Sequence, residues 1–139
     1  MATESLDKVK RNKDKGTWYQ RYAKSFMHAV DGLVYTLKHE HNVWIIYVAT
    51  ILVVLFGFLY KIAIMEWIAC ILCMGLVLTV EMINSAIEAV VDLASPEIHP
   101  LAKIAKDVGS AASLVICTTS LIIGGIIFIP KILATLGIM

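Results

Sequence analysis

Three stretches of the chain, residues 43–60, 67–80 and 108–130, contain no Asp, Glu, Lys or Arg. A helix crosses the hydrocarbon core of a bilayer with ~20 consecutive apolar residues. Within that core every backbone N–H and C=O must be satisfied inside the protein, and a helix does this within a single segment. The chain is 59% hydrophobic and 17% charged, far from the soluble average. The expected fold class is an all-α integral membrane protein, and 139 residues correspond to one domain. A net charge of +1 points to no nucleic-acid partner.

Residues 1–16 are charged and poor in apolar side chains, so they are expected to form a disordered basic leader. From about 17 to 40 the pattern changes. Trp18, Tyr22, Phe26, Ala29, Leu33 and Leu37 recur at three- and four-residue intervals, with Arg21, Lys24, Asp31 and Lys38 among them. This predicts an amphipathic helix, suited to lie in the headgroup region; a cytosolic helix packed on a partner is the alternative. The first transmembrane helix is expected at about 43–60, with Trp44, Tyr47 and Tyr60 toward its ends. A second opens at Trp67 and continues to about residue 93.

Ser95-Pro96-Glu97-Ile98-His99-Pro100 interrupts the helix, because each proline lacks an amide donor and restricts the residue before it. A polar loop is expected there, leading through Lys103, Lys106 and Asp107 to a third span at about 108–130. Gly109, Ala111, Ala112, Gly124 and Gly125 in that span allow close helix approach. Residues 17–139 thus read as one membrane-integral domain. No cleavable signal peptide is expected, since a long basic leader precedes the first apolar run.

Cys70, Cys73 and Cys117 lie in apolar runs, where cysteine behaves as a small hydrophobe. The Cys70-Ile-Leu-Cys73 spacing lacks a second cysteine pair, so packing is its expected role. His39-Glu40-His41 suggests no zinc site, because positions i and i+2 of a helix do not face each other.

The second apolar run ends in Glu81-Met-Ile-Asn-Ser-Ala-Ile-Glu-Ala-Val-Val-Asp92. At ~100° per residue, Glu81, Asn84, Glu88 and Asp92 fall within a stripe of roughly 80°, with Ser85 beside them. A charged group at membrane depth costs at least ~2.5 kcal/mol on insertion scales, so this stripe is a candidate functional site. Glu81 and Glu88 are ~10.5 Å apart along the axis, too far to hold one metal together. Glu88 can meet another carboxylate, such as Glu40, around a hard cation, and magnesium suits such ligands. Glu81, deeper in the segment, can accept a proton from a lipid hydroxyl. An ion-pair network or proton pathway, as in a small oligomeric transporter, uses the same carboxylates without group transfer.

Lys and Arg near the spans set orientation. With three crossings, the basic N-terminal region and the segment holding Lys103 and Lys106 share one side, while Lys61 and Lys131 mark the other. The first side is expected to be cytoplasmic. The carboxylate stripe runs toward it, within reach of cytosolic nucleotide and magnesium. Lys103 and Lys106 are close enough to the Glu88 end to contact phosphates, although positive-inside topology alone explains them equally well.

The stretch Glu81–Asp92, followed by Glu97-Ile-His-Pro and Ala105-Lys-Asp-Val-Gly-Ser-Ala-Ala112, closely resembles the small prokaryotic membrane-integral diacylglycerol kinase family, which includes the undecaprenol kinases of Gram-positive bacteria. The resemblance runs from about Arg21 to the end of the third span, with Ala29-Val-Asp-Gly32 and Glu40 in the surface helix. It implies a homotrimer of protomers with one N-terminal surface helix and three transmembrane helices, in which neighbouring chains share active sites. It also implies phosphorylation of a lipid hydroxyl by MgATP. Carried over by residue, it makes Glu81 the catalytic base supported by Asn84, and Glu40 and Glu88 the metal ligands. Arg21, Glu40, Glu88, Glu97, Ile98, His99, Lys106 and Asp107 correspond to ATP-binding positions; Ser110 and Glu81 correspond to the lipid side. Many Gram-positive relatives carry Arg and His where this chain has Trp44 and Ile46.

His99-Pro-Leu-Ala-Lys-Ile-Ala-Lys-Asp107 is more similar to the Gram-positive branch. That makes undecaprenol the expected lipid, with diacylglycerol as the alternative. The expected location is the bacterial cytoplasmic membrane, multi-pass, with the N-terminus and active site facing the cytoplasm.

Overall fold

A computed structural model of the chain describes residues 17–39, 41–95 and 99–138. The expected leader, Glu40, and the Pro96-Glu97-Ile98 turn lie outside the described residues. The fold is all-helical: α1 (Trp18–His39), α2 (His41–Leu59), α3 (Ile64–Ala94) and α4 (Pro100–Thr135), with no strand among the described residues. The chain divides into two units, Met1–Lys38 and His39–Met139.

The first unit contains nearly all of α1. Edge-on contacts of Trp18 with Tyr19 and Tyr22, at centroid distances of 6.2 and 6.0 Å, place an aromatic group at its start. Farther along, the Thr36 hydroxyl donates to the Gly32 carbonyl one turn back at 3.0 Å.

In the second unit, α2, α3 and α4 are each long and apolar enough to cross a membrane. The 31 residues of α3 and 36 of α4 extend ~46 and ~54 Å, against a hydrocarbon core of ~30 Å. Their ends must project into the interfaces. This is why α3 can carry carboxylates at one end without breaking its apolar span.

Helix α2 ends in a Schellman turn: the Ile62 amide donates to the Gly57 carbonyl at 3.1 Å and the Lys61 amide to Phe58 at 3.3 Å. Lys61, at φ 49°, occupies the left-handed position usually given to glycine. The same closure ends α4, with Gly137 at φ 70° and the Ile138 amide bonded to the Leu133 carbonyl at 3.1 Å. The start of α3 is held by Glu66, whose Oε2 accepts from the Ala63 amide at 2.7 Å. At the start of α4, His99 Nδ1 accepts from the Leu101 amide at 3.2 Å, and Pro100 fills the first helical position, where its missing N–H costs nothing.

This local chemistry starts α4 well before the apolar run at 108. Lys103, Lys106 and Asp107, expected in a loop, instead occupy its opening turns. Because the lysines sit between helix-favouring residues and follow a capped proline, polarity alone did not keep them out of the helix.

Packing is concentrated on the antiparallel α3–α4 pair, with α2 resting more lightly on α3. The buried apolar cluster of Ile62, Cys70 and Ile127 lies toward the α2–α3 turn. There Phe58 and Trp67 meet at a centroid distance of 5.1 Å, and Lys131 pairs with Glu66 at 3.0 Å. Cys70, Cys73 and Cys117 are free and line an open apolar groove of about 490 Å³ between α2, α3 and α4.

Gly57 sets how closely Trp67 can approach. A Cβ at this position would stand 2.6 and 2.7 Å from two carbons of the rigid indole and 3.3 Å from Ile62 Cδ1. Overpacking of this kind typically costs ~1–3 kcal/mol. Gly57→Ala is therefore expected to lower the thermal midpoint in detergent, and adding Trp67→Leu should recover part of the loss.

Candidate active site

The polar stripe on α3 is graded in burial. Glu81 and Asn84 are only 5% and 8% exposed, Glu88 is half-buried, and Asp92 is exposed. Each side chain has its own partner. Glu81 Oε1 accepts from Asn42 Nδ2 in the first turn of α2 at 3.0 Å. Glu88 Oε1 accepts from Asn84 Nδ2, one turn back on α3, also at 3.0 Å. Asp92 pairs with Lys106 of α4, and Ser85 Oγ donates to the Glu81 carbonyl at 3.1 Å.

This gradient follows from helix geometry. Glu66, paired with Lys131, and Asp92, paired with Lys106, lie ~39 Å apart along α3. The two ion pairs therefore sit at opposite interfaces of a membrane whose apolar core is ~30 Å thick. Glu81 is ~16 Å from Asp92 along the helix, level with the first turn of α2, and is buried among the helices. A buried carboxylate there is tolerable only when hydrogen-bonded, and Asn42 provides the bond.

The other expected site residues divide into three groups. His99 caps α4, with its Nδ1 used by the Leu101 amide. Lys106 joins α4 to Asp92, while Asp107 pairs with Lys103 on the same helix. Thus the lysine and carboxylate expected to meet phosphate are already held in ion pairs at the open end of the stripe. Ser110 lies on an exposed part of α4. Arg21 lies in the first turn of α1, and Glu40, Glu97 and Ile98 are outside the described residues.

Sequence reading missed Asn42 as a partner of Glu81. Its signal was an amide at the mouth of an apolar span, two residues after Glu40. Helical spacing could not supply its pairing with a residue 39 positions away.

A magnesium ion, which the expected chemistry requires, demands hard oxygen ligands. The stripe offers one such ligand, the half-buried Glu88 carboxylate, whereas the buried Asn84 Oδ1 is turned against Gly109 of α4. Among the described residues no three His, Cys, Asp or Glu side chains converge. Glu88 would therefore hold the ion with ligands from elsewhere, such as Glu40 and nucleotide oxygens. The arrangement grades one helix from a buried carboxylate at Glu81 to an exposed, ion-paired end at Asp92 and Lys106.

Comparison with known proteins bears on this geometry. The family described as prokaryotic diacylglycerol kinase matches residues 27–128. The undecaprenol kinase of Bacillus subtilis is 40% identical over 121 residues, covering 87% of this chain and 98% of the relative. A diacylglycerol kinase of Helicobacter pylori is 39% identical over 102 residues, covering 73% of this chain and 79% of the relative. The diacylglycerol kinase of Escherichia coli K12 reaches 60% identity over a shorter stretch of 40 residues, 29% of this chain and 33% of the relative. With a match over most of its length, three bilayer-length helices and a carboxylate stripe that begins at the buried Glu81, the chain belongs to the prokaryotic diacylglycerol kinase family.

Proposed function

We propose that this protein is a lipid kinase that transfers the γ-phosphate of ATP to the hydroxyl of undecaprenol, giving undecaprenyl phosphate and ADP. The observation that carries the choice of lipid is the similarity to an undecaprenol kinase over 98% of that relative's length. Diacylglycerol is the second reading, favoured by the relatives named diacylglycerol kinase.

In this reading the lipid hydroxyl enters from the apolar side of the stripe and meets Glu81. Asn42 holds Oε1 of that carboxylate, so Oε2 takes the hydroxyl proton. The lipid oxygen forms a bond to the γ-phosphorus, the bond from that phosphorus to the β–γ bridging oxygen breaks, and ADP leaves. Glu88, fixed by Asn84, would hold the nucleotide's magnesium together with Glu40. When bound, that ion neutralises charge building on the phosphates. Lys106, Asp107 and His99 bind ATP at the mouth, Arg21, Glu97 and Ile98 are further ATP-binding residues, and Ser110 faces the lipid.

A homotrimer supports this arrangement, because a single protomer leaves the groove between its three long helices open and brings too few metal ligands together among its described residues. The mouth of the stripe faces the cytoplasm of a bacterial cell, as its lysines favour.

Purified protein given labelled ATP with undecaprenol or diacylglycerol in parallel is expected to phosphorylate undecaprenol faster. Preference for diacylglycerol selects the second reading, and ion flux in liposomes without lipid phosphorylation removes both. Glu81→Gln keeps the shape but not the base. It is expected to lower turnover ~10²–10⁴-fold while nucleotide binding and thermal stability stay near wild type; near-normal turnover would remove Glu81 from its role.

Two further outcomes follow from the hydrogen-bond pattern. Glu88→Gln removes one negative charge and one ligand from a carboxylate-held cation, so half-maximal activity should require more magnesium. Asn42→Ala leaves Glu81 intact but unheld. In steady-state kinetics it should lower kcat by about tenfold, the order of one charge-assisted hydrogen bond, with KM for ATP nearly unchanged.

A further inference from the structure

We propose that Gly109 is a positioning residue for the Glu88 carboxylate and acts through Asn84; the inference rests on the lipid-kinase reading of this site. Gly109 lies in α4, buried against α3. A Cβ on Gly109 would collide with Asn84 Oδ1, and would also lie 3.4 Å from Asn84 Cγ and 3.9 Å from Ile87 Cδ1. A Cβ at Gly32, Gly75 or Gly124, by contrast, would meet nothing within 4 Å, and one at Gly57 would meet only apolar side chains.

The Asn84 side chain is more than nine-tenths buried and is held at one end only. Its Nδ2 donates to Glu88 Oε1 at 3.0 Å, whereas its Oδ1 has no hydrogen-bond partner among the described residues. The shape of the α4 surface therefore fixes the position of that oxygen. In place of a methyl group, Gly109 presents a Cα–H toward it, a contact of the weak C–H···O type. A methyl group there would displace the carboxamide, and the carboxamide is what holds Glu88. The hydrogen at Gly109 thus lets α3 and α4 close over an amide that would otherwise keep them apart.

The test compares wild type, Gly109→Ala, Asn84→Ala and the double variant, each as the full-length chain in detergent with its lipid substrate. Coupled residues show non-additive effects in such a cycle. Gly109→Ala alone is expected to lower activity about tenfold or more and to raise the magnesium concentration needed for half-maximal activity, with KM for lipid unchanged. In the Asn84→Ala background the same substitution fills space already vacated, and the further loss should be less than about twofold.

Thermal unfolding provides a readout independent of turnover: Gly109→Ala should lower the midpoint in the wild-type background and not in the Asn84→Ala background. Equal losses in both backgrounds, or a magnesium dependence unmoved by Gly109→Ala, would overturn the proposal. If Gly109→Ala does not fold, recovery of a folded protein in the double variant supports it, and failure of both overturns it. Should the wild type phosphorylate no lipid, the kinase reading fails by itself, while the unfolding cycle still decides whether Gly109 and Asn84 are coupled.

Discussion

A carboxylate placed within the thickness of a bilayer must find a donor, and the arrangement of the three long helices follows from how α3 meets that demand. Glu81 is satisfied from α2 by Asn42, and Glu88 from its own helix by Asn84. Leaving a buried acceptor unmade costs on the order of 1–3 kcal/mol, more for a charge. Each amide therefore ties a carboxylate oxygen to a particular helix arrangement. The first turn of α2 is thereby fixed to the inner end of the stripe, at Glu81, although α2 otherwise touches α3 mainly near their connecting turn.

The α3–α4 pair gains little from apolar burial, since lipid tails are as apolar as its side chains. Close fit and end contacts take that role. Glu66–Lys131 joins the pair at one interface and Asp92–Lys106 at the other, and between them Gly109 admits the Asn84 carboxamide. Exposed pairs contribute only ~0–1 kcal/mol each, so their value here is more in setting register than in raw stability. Glu66 has a second task, because its other oxygen closes the start of α3 on the Ala63 amide.

The same pairing sorts chemistry by depth. Toward the open end the stripe is ionic and exposed; at Glu81 it is buried and hydrogen-bonded to an uncharged amide. A lipid hydroxyl and a polyphosphate approach from opposite environments, one from the hydrocarbon and the other from water. In the proposed reaction a stripe graded along one helix would present a suitable group to each, and the pronounced length of α3 relative to the apolar core makes that gradient possible.

Much of this was legible in the sequence. Uncharged runs gave three spans because the bilayer leaves few other folds for them, and the 3.6-residue period put Glu81, Asn84, Glu88 and Asp92 on one face because that period is a property of a single helix. The motif around them indicated the family for the same local reason. Tertiary structure decided what period and composition do not encode: that Asn42 reaches Glu81, that Lys106 takes Asp92 from within a helix instead of a loop, and that Gly109 leaves room for Asn84. Those pairings join residues on different helices, whose register is set by the fit of one helix surface against another. Helical periodicity specifies each surface, but only packing specifies which residues face each other across it.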